Sequence, residues 1–274
     1  MLQVAVVGPG RAGGARMRAL EARSDAQLSA VVARDGAPTL AQVLADAAVD
    51  AVAVSTPNAL HARQVRAALE AGKHVLVDYP LAATAEEGRA LFDLAAQTGR
   101  VLHVEHIELL SPSHAAQCER VRDLGRPRGG ALTVRGTSEG WIGDEALAGT
   151  PALRAVARLH RLLDLFGLAS VTGAALEPAA GGYRLQVDLE FQQGGAARLV
   201  EERGDGLSRE TRWSIDCDHG RLGDPPPAAA SGLFERDLDA FLARVRCDAP
   251  HYVADERVVE VLELVGAIER AVAA

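Results

Sequence analysis

The chain has 274 residues, of which 48% are hydrophobic and 24% charged, and its net charge is −8. These proportions are ordinary for a globular protein with one or two domains and an ample core. The negative net charge, without a basic stripe, argues against nucleic acid as a partner, and an anionic ligand would need local cations.

The chain opens with a short apolar run, 2–7, that leads directly into the glycines Gly8, Gly10 and Gly13, and an amphipathic stretch follows. In such a turn Gly8 permits the tight bend, Gly10 lets the backbone approach a pyrophosphate, and Gly13 lets the helix pack closely on the strand. The phosphates then lie at the helix N-terminus, where free N–H groups and the dipole favour anions. The motif predicts a nicotinamide- or flavin-type dinucleotide site made by Gly8, Gly10, Arg11, Ala12 and Gly13.

The first 125 residues alternate short apolar runs with helical periodicity. Predicted strands cover 2–7, 28–32, 51–54, 74–77 and 101–105, and predicted helices cover 12–23, 39–45, 58–71 and 86–97. Strands buried on both faces and joined by helices imply a parallel, doubly wound sheet. We therefore predict an α/β Rossmann domain over residues 1–125.

Beyond Pro127 the pattern changes to β-like alternation with short glycine-rich turns. Predicted strands cover 130–138, 171–177, 183–191, 196–202 and 211–217, and predicted helices cover 153–166, 233–246 and 255–273. This alternation predicts a largely antiparallel sheet with one face on helices and the other open. We expect an α+β substrate domain over residues 126–274, whose C-terminal helix is able to pack back on the first domain.

Polar residues follow the second and third predicted strands, at the sheet edge where open α/β sheets bind ligands. Arg34 is suited to the 2′-phosphate of NADP, whereas the adjacent Asp35 would suit the ribose of NAD. We therefore favour NADPH, with NADH as the alternative. Thr56, Pro57 and Asn58 could line the ribose and nicotinamide, and Asn58 could also cap the next helix.

The fourth and fifth predicted strands also end in candidate site residues. Asp78 and Tyr79 precede Pro80, and Tyr79 is better suited as an aromatic wall than as an acid, because a phenol has a pKa near ~10. Glu105 and Glu108 follow the fifth strand. They either tune protonation and hold the cofactor's carboxamide or anchor structural hydrogen bonds. No spacing like HExxH is present, so we predict no metal.

Four segments then carry a resemblance: 10–18 in the glycine turn, Asp78-Tyr79-Pro80, the histidine- and glutamate-rich 102–110, and 158–167 on a second-domain helix. Together they resemble the Rossmann oxidoreductases that include glucose–fructose oxidoreductase and inositol dehydrogenase, and within them the biliverdin reductases, over nearly the whole chain. The sugar-oxidising branch carries a lysine where this chain has Tyr79, and a His-x-x-Asp pair where it has Ala157 and His160. The parts for alcohol oxidation are therefore missing.

The resemblance implies hydride transfer from NADPH to the central methine carbon, C10, of biliverdin, giving bilirubin as in heme degradation. A flat, apolar tetrapyrrole with two propionates suits an open sheet face with a few arginines. The resemblance places Arg158 at the family's functional arginine, and Arg161 lies on the same helix face. We expect them to bind propionate, steer substrate or deliver a proton through water; the alternative is pairing with acids such as Asp164. The predicted catalytic set is Arg158, Arg161, Tyr79, Glu105 and Glu108.

Two other functions remain open from the sequence. One is an NAD(P)-dependent oxidoreductase of the same superfamily that acts on a sugar or imine, and the other is a non-catalytic regulator that senses NADP. The three widely spaced cysteines predict reduced thiols and a cytoplasmic protein. No apolar run approaches the ~20 residues of a membrane span, so we expect no membrane partner. The open sheet face fits either a monomer or a homodimer.

Overall fold

Strands and helices alternate through the first third of the chain, and five strands follow one another between residues 169 and 222. The computed structural model describes residues 1–226, 231–247 and 249–274. The strands are β1 (Leu2–Val7), β2 (Ala26–Val32), β3 (Ala51–Val54), β4 (His74–Val77), β5 (Leu102–Val104), β6 (Pro127–Gly136), β7 (Ala169–Ala179), β8 (Gly182–Phe191), β9 (Ala196–Arg203), β10 (Glu210–Cys217) and β11 (Gly220–Leu222). The helices are α1 (Arg11–Glu21), α2 (Leu40–Ala45), α3 (His61–Glu70), α4 (Ala85–Thr98), α5 (Pro112–Leu124), α6 (Glu145–Ala148), α7 (Pro151–Arg154), α8 (Val156–Phe166), α9 (Leu233–Cys247) and α10 (Asp255–Ala273).

The first sheet is parallel and has the strand order β2-β1-β3-β4-β5. Strands β1, β3 and β4 consist mostly of buried apolar residues, as expected for a sheet covered on both faces, whereas the edge strand β2 is partly exposed. The register aligns the strand ends in one row: Val32, Val7, Val54, Val77 and Val104. The loops that follow these five valines therefore emerge at the same edge. The predicted doubly wound Rossmann sheet is confirmed.

The second sheet has the order β11-β10-β6-β9-β8-β7 and is antiparallel except for the parallel pair β6–β9. The inner face of β8 carries Leu185, Val187 and Leu189, all buried. The outer face carries charged side chains paired between strands, such as Arg198 with Asp188 at 2.6 Å and Arg135 with Glu202 at 2.7 Å. The predicted mostly antiparallel sheet is confirmed.

The chain forms two compact units, which combine Met1–Ile107 with Gly232–Val259 and Glu108–Ser231 with Glu260–Ala274. Helix α9 belongs to the first unit, because its residues Leu238, Phe241 and Leu242 share one buried cluster with β1 and α1. The sequence pattern predicts a boundary at residue 125, with α9 in the second domain. The apolar stripe of α9 indicated a helix without indicating which core it would join.

Other local predictions differ from the structure. The predicted helix over 153–166 is two helices that meet at Ala155, whose N–H donates to the Ala152 carbonyl oxygen at 3.1 Å in a tight turn. The predicted helix over 58–71 starts with a 3₁₀ turn, Asn58–Leu60. Helix α5 and strand β11 were not predicted. Among the described residues, no helix combines the length and the apolar character needed to cross a bilayer.

Candidate active site

The turn between β1 and α1 has the close packing that the glycine motif predicts. Gly8 has a φ of +89°, and a Cβ there would lie 2.5 Å from the carbonyl oxygen of Ser55. A Cβ on Gly13 would lie 2.0 Å from the Gly8 oxygen, whereas a Cβ on Gly10 would meet nothing within 4 Å. The glycines thus press strand and helix together at two positions and leave open space at the third. Since α1 begins at Arg11 directly after Gly10, its first N–H groups adjoin that space.

The remaining predicted cofactor residues lie at the same edge of the sheet. Arg34 follows Val32, the strand end that pairs with Val7 at the glycine turn, and both Arg34 and Arg11 are exposed. Thr56, Pro57 and Asn58 follow β3, and Asp78 and Tyr79 follow β4. The Ser55 hydroxyl is buried without a hydrogen-bond partner among the described residues. An open glycine, an orphaned buried hydroxyl and exposed arginines fit a dinucleotide phosphate and ribose at this edge.

His61 ties two of these loops together. It is 1% exposed, and its ring nitrogens lie 2.7 Å from the Thr56 carbonyl oxygen and 2.8 Å from the Pro80 carbonyl oxygen. Thr56 is held again through its hydroxyl, which donates to Gln64 at 2.6 Å. The walls of the predicted ribose and nicotinamide site are therefore positioned by side chains of α3 that lie behind them.

Tyr79 lies parallel to a histidine ring. The ring centroids of Tyr79 and His106 are 6.4 Å apart with an interplanar angle of 4°, and the peptide bond between Tyr79 and Pro80 is cis. The backbone N–H of His106 donates to the Tyr252 hydroxyl at 2.8 Å, which fixes that loop. The geometry is that of a positioned aromatic surface.

A buried ion network lies behind this edge and was not predicted. The Arg16 guanidinium, fully buried, donates to Asp78 at 2.6 and 3.0 Å and to Asp237 at 2.8 Å. Burial alone would lower the pKa of Arg16, but the carboxylates of Asp78 and Asp237 outweigh it and raise that pKa. Asp78, a predicted cofactor residue, is thus fastened to α1.

Asp237 also accepts hydrogen bonds from two neutral side chains. His103 Nε2 lies 2.9 Å from Asp237 Oδ1, and the Tyr252 hydroxyl donates to the same oxygen at 2.7 Å. Burial lowers the pKa of His103 to about 4, so this ring is neutral near pH 7. Burial would raise the pKa of Asp237, but Arg16 and His103 hold it below its usual range. Asp237 is therefore an ionised, fully bonded carboxylate in the core of the first unit.

Glu105 is a second buried acid near this edge, and its pKa is shifted in the opposite direction to that of Asp237. It is 3% exposed, and its Oε1 accepts from the Ile107 N–H at 2.7 Å. Burial, and then the negative charges of Asp78 and Asp237, raise the pKa of Glu105 well above its ordinary value. The fifth strand thus places a buried carboxyl group with a raised pKa at the same edge as Tyr79.

The other predicted catalytic residues lie in the second unit. Arg158 on α8 is half-buried, and its Nε lies 3.9 Å from Oε2 of the buried Glu201 on β9. Glu108 lies 3.9 Å from Arg209. Asp164, the acid named as a possible partner of the two arginines of α8, accepts from His114 at 2.7 Å.

Arg161 packs on structural partners. It donates to Gln117 at 2.6 Å and to His114 Nδ1 at 3.4 Å, and its guanidinium lies 4.9 Å from the Trp213 ring centroid. Burial lowers its pKa. These contacts connect α8 with α5 and β10 and distinguish Arg161 from Arg158.

Three side chains of metal-ligand type converge beside Arg161. The ligand atoms of His114, Cys118 and Asp164 all lie within 4.8 Å of one another. Since Arg161 donates to Nδ1, the proton of a neutral His114 ring is on Nε2, which donates to Asp164. Burial, followed by the charge of Asp164, raises the pKa of Cys118 to about 11, so the thiol is protonated. Hydrogen bonds to Asp164 from His114 and Cys118 hold these three side chains together.

Comparison with known proteins agrees with this architecture. Residues 2–106 match the family described as "Oxidoreductase family, NAD-binding Rossmann fold", and residues 130–229 match "Biliverdin reductase, catalytic". Biliverdin reductase A of Mus musculus is 34% identical over 97% of this chain and 95% of its own length. Biliverdin reductase A of Homo sapiens is 32% identical over 88% of this chain and 85% of its own.

A solved structure extends the match to the whole fold. Biliverdin reductase from Synechocystis sp. PCC 6803, in complex with biliverdin and NADP+, superposes with a TM-score of 0.88 and 25% identity, covering 100% of this chain and 99% of that one. The fold and the cofactor edge define a Rossmann-type, NAD(P)H-dependent oxidoreductase. Within that class, the chain belongs to the biliverdin reductase family.

Proposed function

We propose that the protein reduces biliverdin to bilirubin with NADPH as the reductant. Bound NADPH supplies the hydride that the C10 methine carbon accepts, and a pyrrole nitrogen takes one proton. The protein's tasks are then to hold the cofactor, orient a flat substrate and provide that proton. The main support is the similarity to biliverdin reductase A of Mus musculus over 97% of the chain. Tyr79 adds to it, because it stands at the turn where the sugar-oxidising enzymes carry lysine.

The first unit holds the cofactor. The N–H groups at the start of α1 receive the pyrophosphate beside Gly10, and the exposed guanidinium of Arg34 receives the 2′-phosphate. NADP+ in the similar Synechocystis structure supports this choice of cofactor. Tyr79, stacked on His106, presents an aromatic surface to the nicotinamide.

Glu105 holds the proton. Oε1 accepts from Ile107 N–H, which leaves Oε2 for the proton, and the raised pKa of the buried carboxyl group favours the protonated form. From Oε2 it passes to the pyrrole nitrogen directly or through water, and solvent restores it. Arg158 binds a propionate, since a guanidinium retains its own proton and matches a carboxylate in shape. The outer face of the second sheet is less suited to the bilin, because ion pairs such as Arg198–Asp188 occupy it.

The test is incubation of the purified protein with NADPH and biliverdin. Growth of the bilirubin absorption band supports the proposal. Tight NADPH binding without any spectral change would contradict it, and a panel of polyols with NADP+ would then test the sugar alternative. Arg158→Ala should lose reductase activity while its NADPH affinity stays close to wild type, and normal turnover in that variant would remove Arg158 from the mechanism.

A further inference from the structure

Glu201 is an ionisable residue placed in an apolar sheet face. It is 0% exposed on β9, and its neighbours on the same face of that strand, Ala197 and Leu199, are buried. The residues beside it on the adjacent strands are Val134 and Leu185, also buried. A carboxylate in such surroundings is costly unless it is paired, so its partners indicate why it is there.

The two oxygens of Glu201 have different partners. Oε1 accepts from the Tyr183 hydroxyl at 3.0 Å and from Arg203 Nε at 2.9 Å. Oε2 is buried without a hydrogen bond from any described residue, and Arg158 Nε lies 3.9 Å away. Burial, and then the negative charge of Glu201, raise the pKa of Tyr183. One oxygen is therefore bonded within the sheet, while the other faces the arginine of α8.

The 3.9 Å separation is longer than a hydrogen bond, so Oε2 acts on Arg158 through its charge. Both of the hydrogen bonds from Tyr183 and Arg203 end on Oε1. Glutamine at this position would keep an acceptor for Tyr183 and Arg203 and would remove the negative charge that attracts Arg158 and Arg203. The charge and the hydrogen bonding of Glu201 can thus be separated by one isosteric substitution.

We propose that Glu201 is a positioning residue that orients the Arg158 guanidinium toward the bilin propionate. The inference rests on the proposed function and deepens it, because it assigns a role to a residue that touches neither substrate nor cofactor. The flexible arginine side chain starts near the beginning of α8, and the buried carboxylate limits where its Nε end can lie. Misplacement of a positioning group by about 1 Å can cost on the order of 100-fold in rate.

The experiment is a double-mutant cycle that combines Glu201→Gln with Arg158→Ala. In the wild-type background, Glu201→Gln should lower kcat/KM for biliverdin by about 10- to 100-fold, with unchanged NADPH affinity. In the Arg158→Ala background, where the residual turnover is measured at high enzyme concentration, it should have no further effect, because the group it positions is gone. Glu202→Gln is the matched control: Glu202 lies on the opposite sheet face, bonded to Arg135 and Arg184, and kcat/KM should stay within about twofold of wild type.

Each outcome decides the inference. If Glu201→Gln leaves kcat/KM at the wild-type value, or lowers it equally in both backgrounds, Glu201 does not act through Arg158. If thermal unfolding shows that Glu201→Gln does not fold, Glu201→Asp takes its place in the cycle; it keeps the charge but withdraws it by one methylene, and the same absence of an effect beside Arg158→Ala is required. A wild-type protein that does not reduce biliverdin overturns the proposed function and this inference together, whereas an active wild type with an unaffected Glu201→Gln overturns the inference alone.

Discussion

Asp237→Ala should lower the free energy of unfolding by about 4 kcal/mol, because removing one partner of a buried ion pair costs ~3–5 kcal/mol. The substitution deletes the carboxylate that accepts three hydrogen bonds: from Arg16 Nη1 at 2.8 Å, from the Tyr252 hydroxyl at 2.7 Å and from His103 Nε2 at 2.9 Å. It also leaves Arg16 fully buried with Asp78 as its remaining carboxylate partner in this network. Asp237→Asn keeps an acceptor for Tyr252 and loses the charge, so its cost should be smaller, about 2 kcal/mol.

Chemical denaturation at pH 7, followed by far-UV circular dichroism, measures these differences. The control is Asp239→Ala on the same helix: Asp239 is 59% exposed and pairs with Arg23, so its loss should cost less than about 1 kcal/mol. If Asp237→Ala and Asp239→Ala cost the same, the buried network does not stabilise the first unit as argued. A stable Asp237→Ala with Asp237→Asn strongly destabilised would also contradict the reasoning, since it would reverse the expected order.

Two further predictions concern the cofactor edge, and a third concerns the buried network behind it. Arg34→Ala should raise the KM for NADPH by about tenfold or more and leave that for NADH within about twofold, because only NADPH carries the 2′-phosphate; equal effects in steady-state kinetics would contradict this. Tyr79→Phe should keep kcat within about threefold, since the ring that stacks on His106 remains, whereas a loss above ~100-fold would make the hydroxyl an acid catalyst. His103 has a pKa lowered from 6.5 to about 4, so its contribution to stability is complete above pH 6.5 and is lost as the pH falls toward 4. The difference in unfolding free energy between wild type and His103→Gln should therefore shrink by about 3 kcal/mol from pH 7 to pH 4, and a pH-independent difference would contradict the neutral state of His103.

The first sheet could be predicted because its signals are local. Gly8, Gly10 and Gly13 lie within six residues, and short valine-rich runs separated by helical stretches mark parallel strands. The order of the strands also places Arg34, Thr56, Tyr79 and Glu105 at one edge without any knowledge of side-chain contacts.

The buried network could not be predicted in this way, because its members are distant in sequence. Arg16 and Asp237 are separated by 221 positions, and nothing near Asp237 marks it as the partner of an arginine in α1. His61 is similar: its spacing indicates a helix, but its contacts with the Thr56 and Pro80 carbonyl groups depend on two loops.

Two features of the second unit, helix α5 and the inward-facing Glu201, have recognisable signals in the sequence. Ser111 followed by Pro112 is a typical helix start, and recognising α5 would have supplied Gln117 and His114 as partners for Arg161. Ala197, Leu199 and Glu201 are two residues apart along the predicted strand 196–202 and therefore share one face. The alternation of the strand thus already predicts a charged residue on its inward face. Its partner Arg158, however, depends on how α8 packs on the sheet.

The most direct measurement of the central claim is isotope transfer from reduced cofactor to pigment. NADPH carrying deuterium at the transferable position of the nicotinamide is incubated with the protein and biliverdin, and the product is analysed by mass spectrometry and NMR. The account predicts bilirubin with one deuterium, located at C10. Bilirubin without deuterium, or deuterium at another carbon, would contradict it.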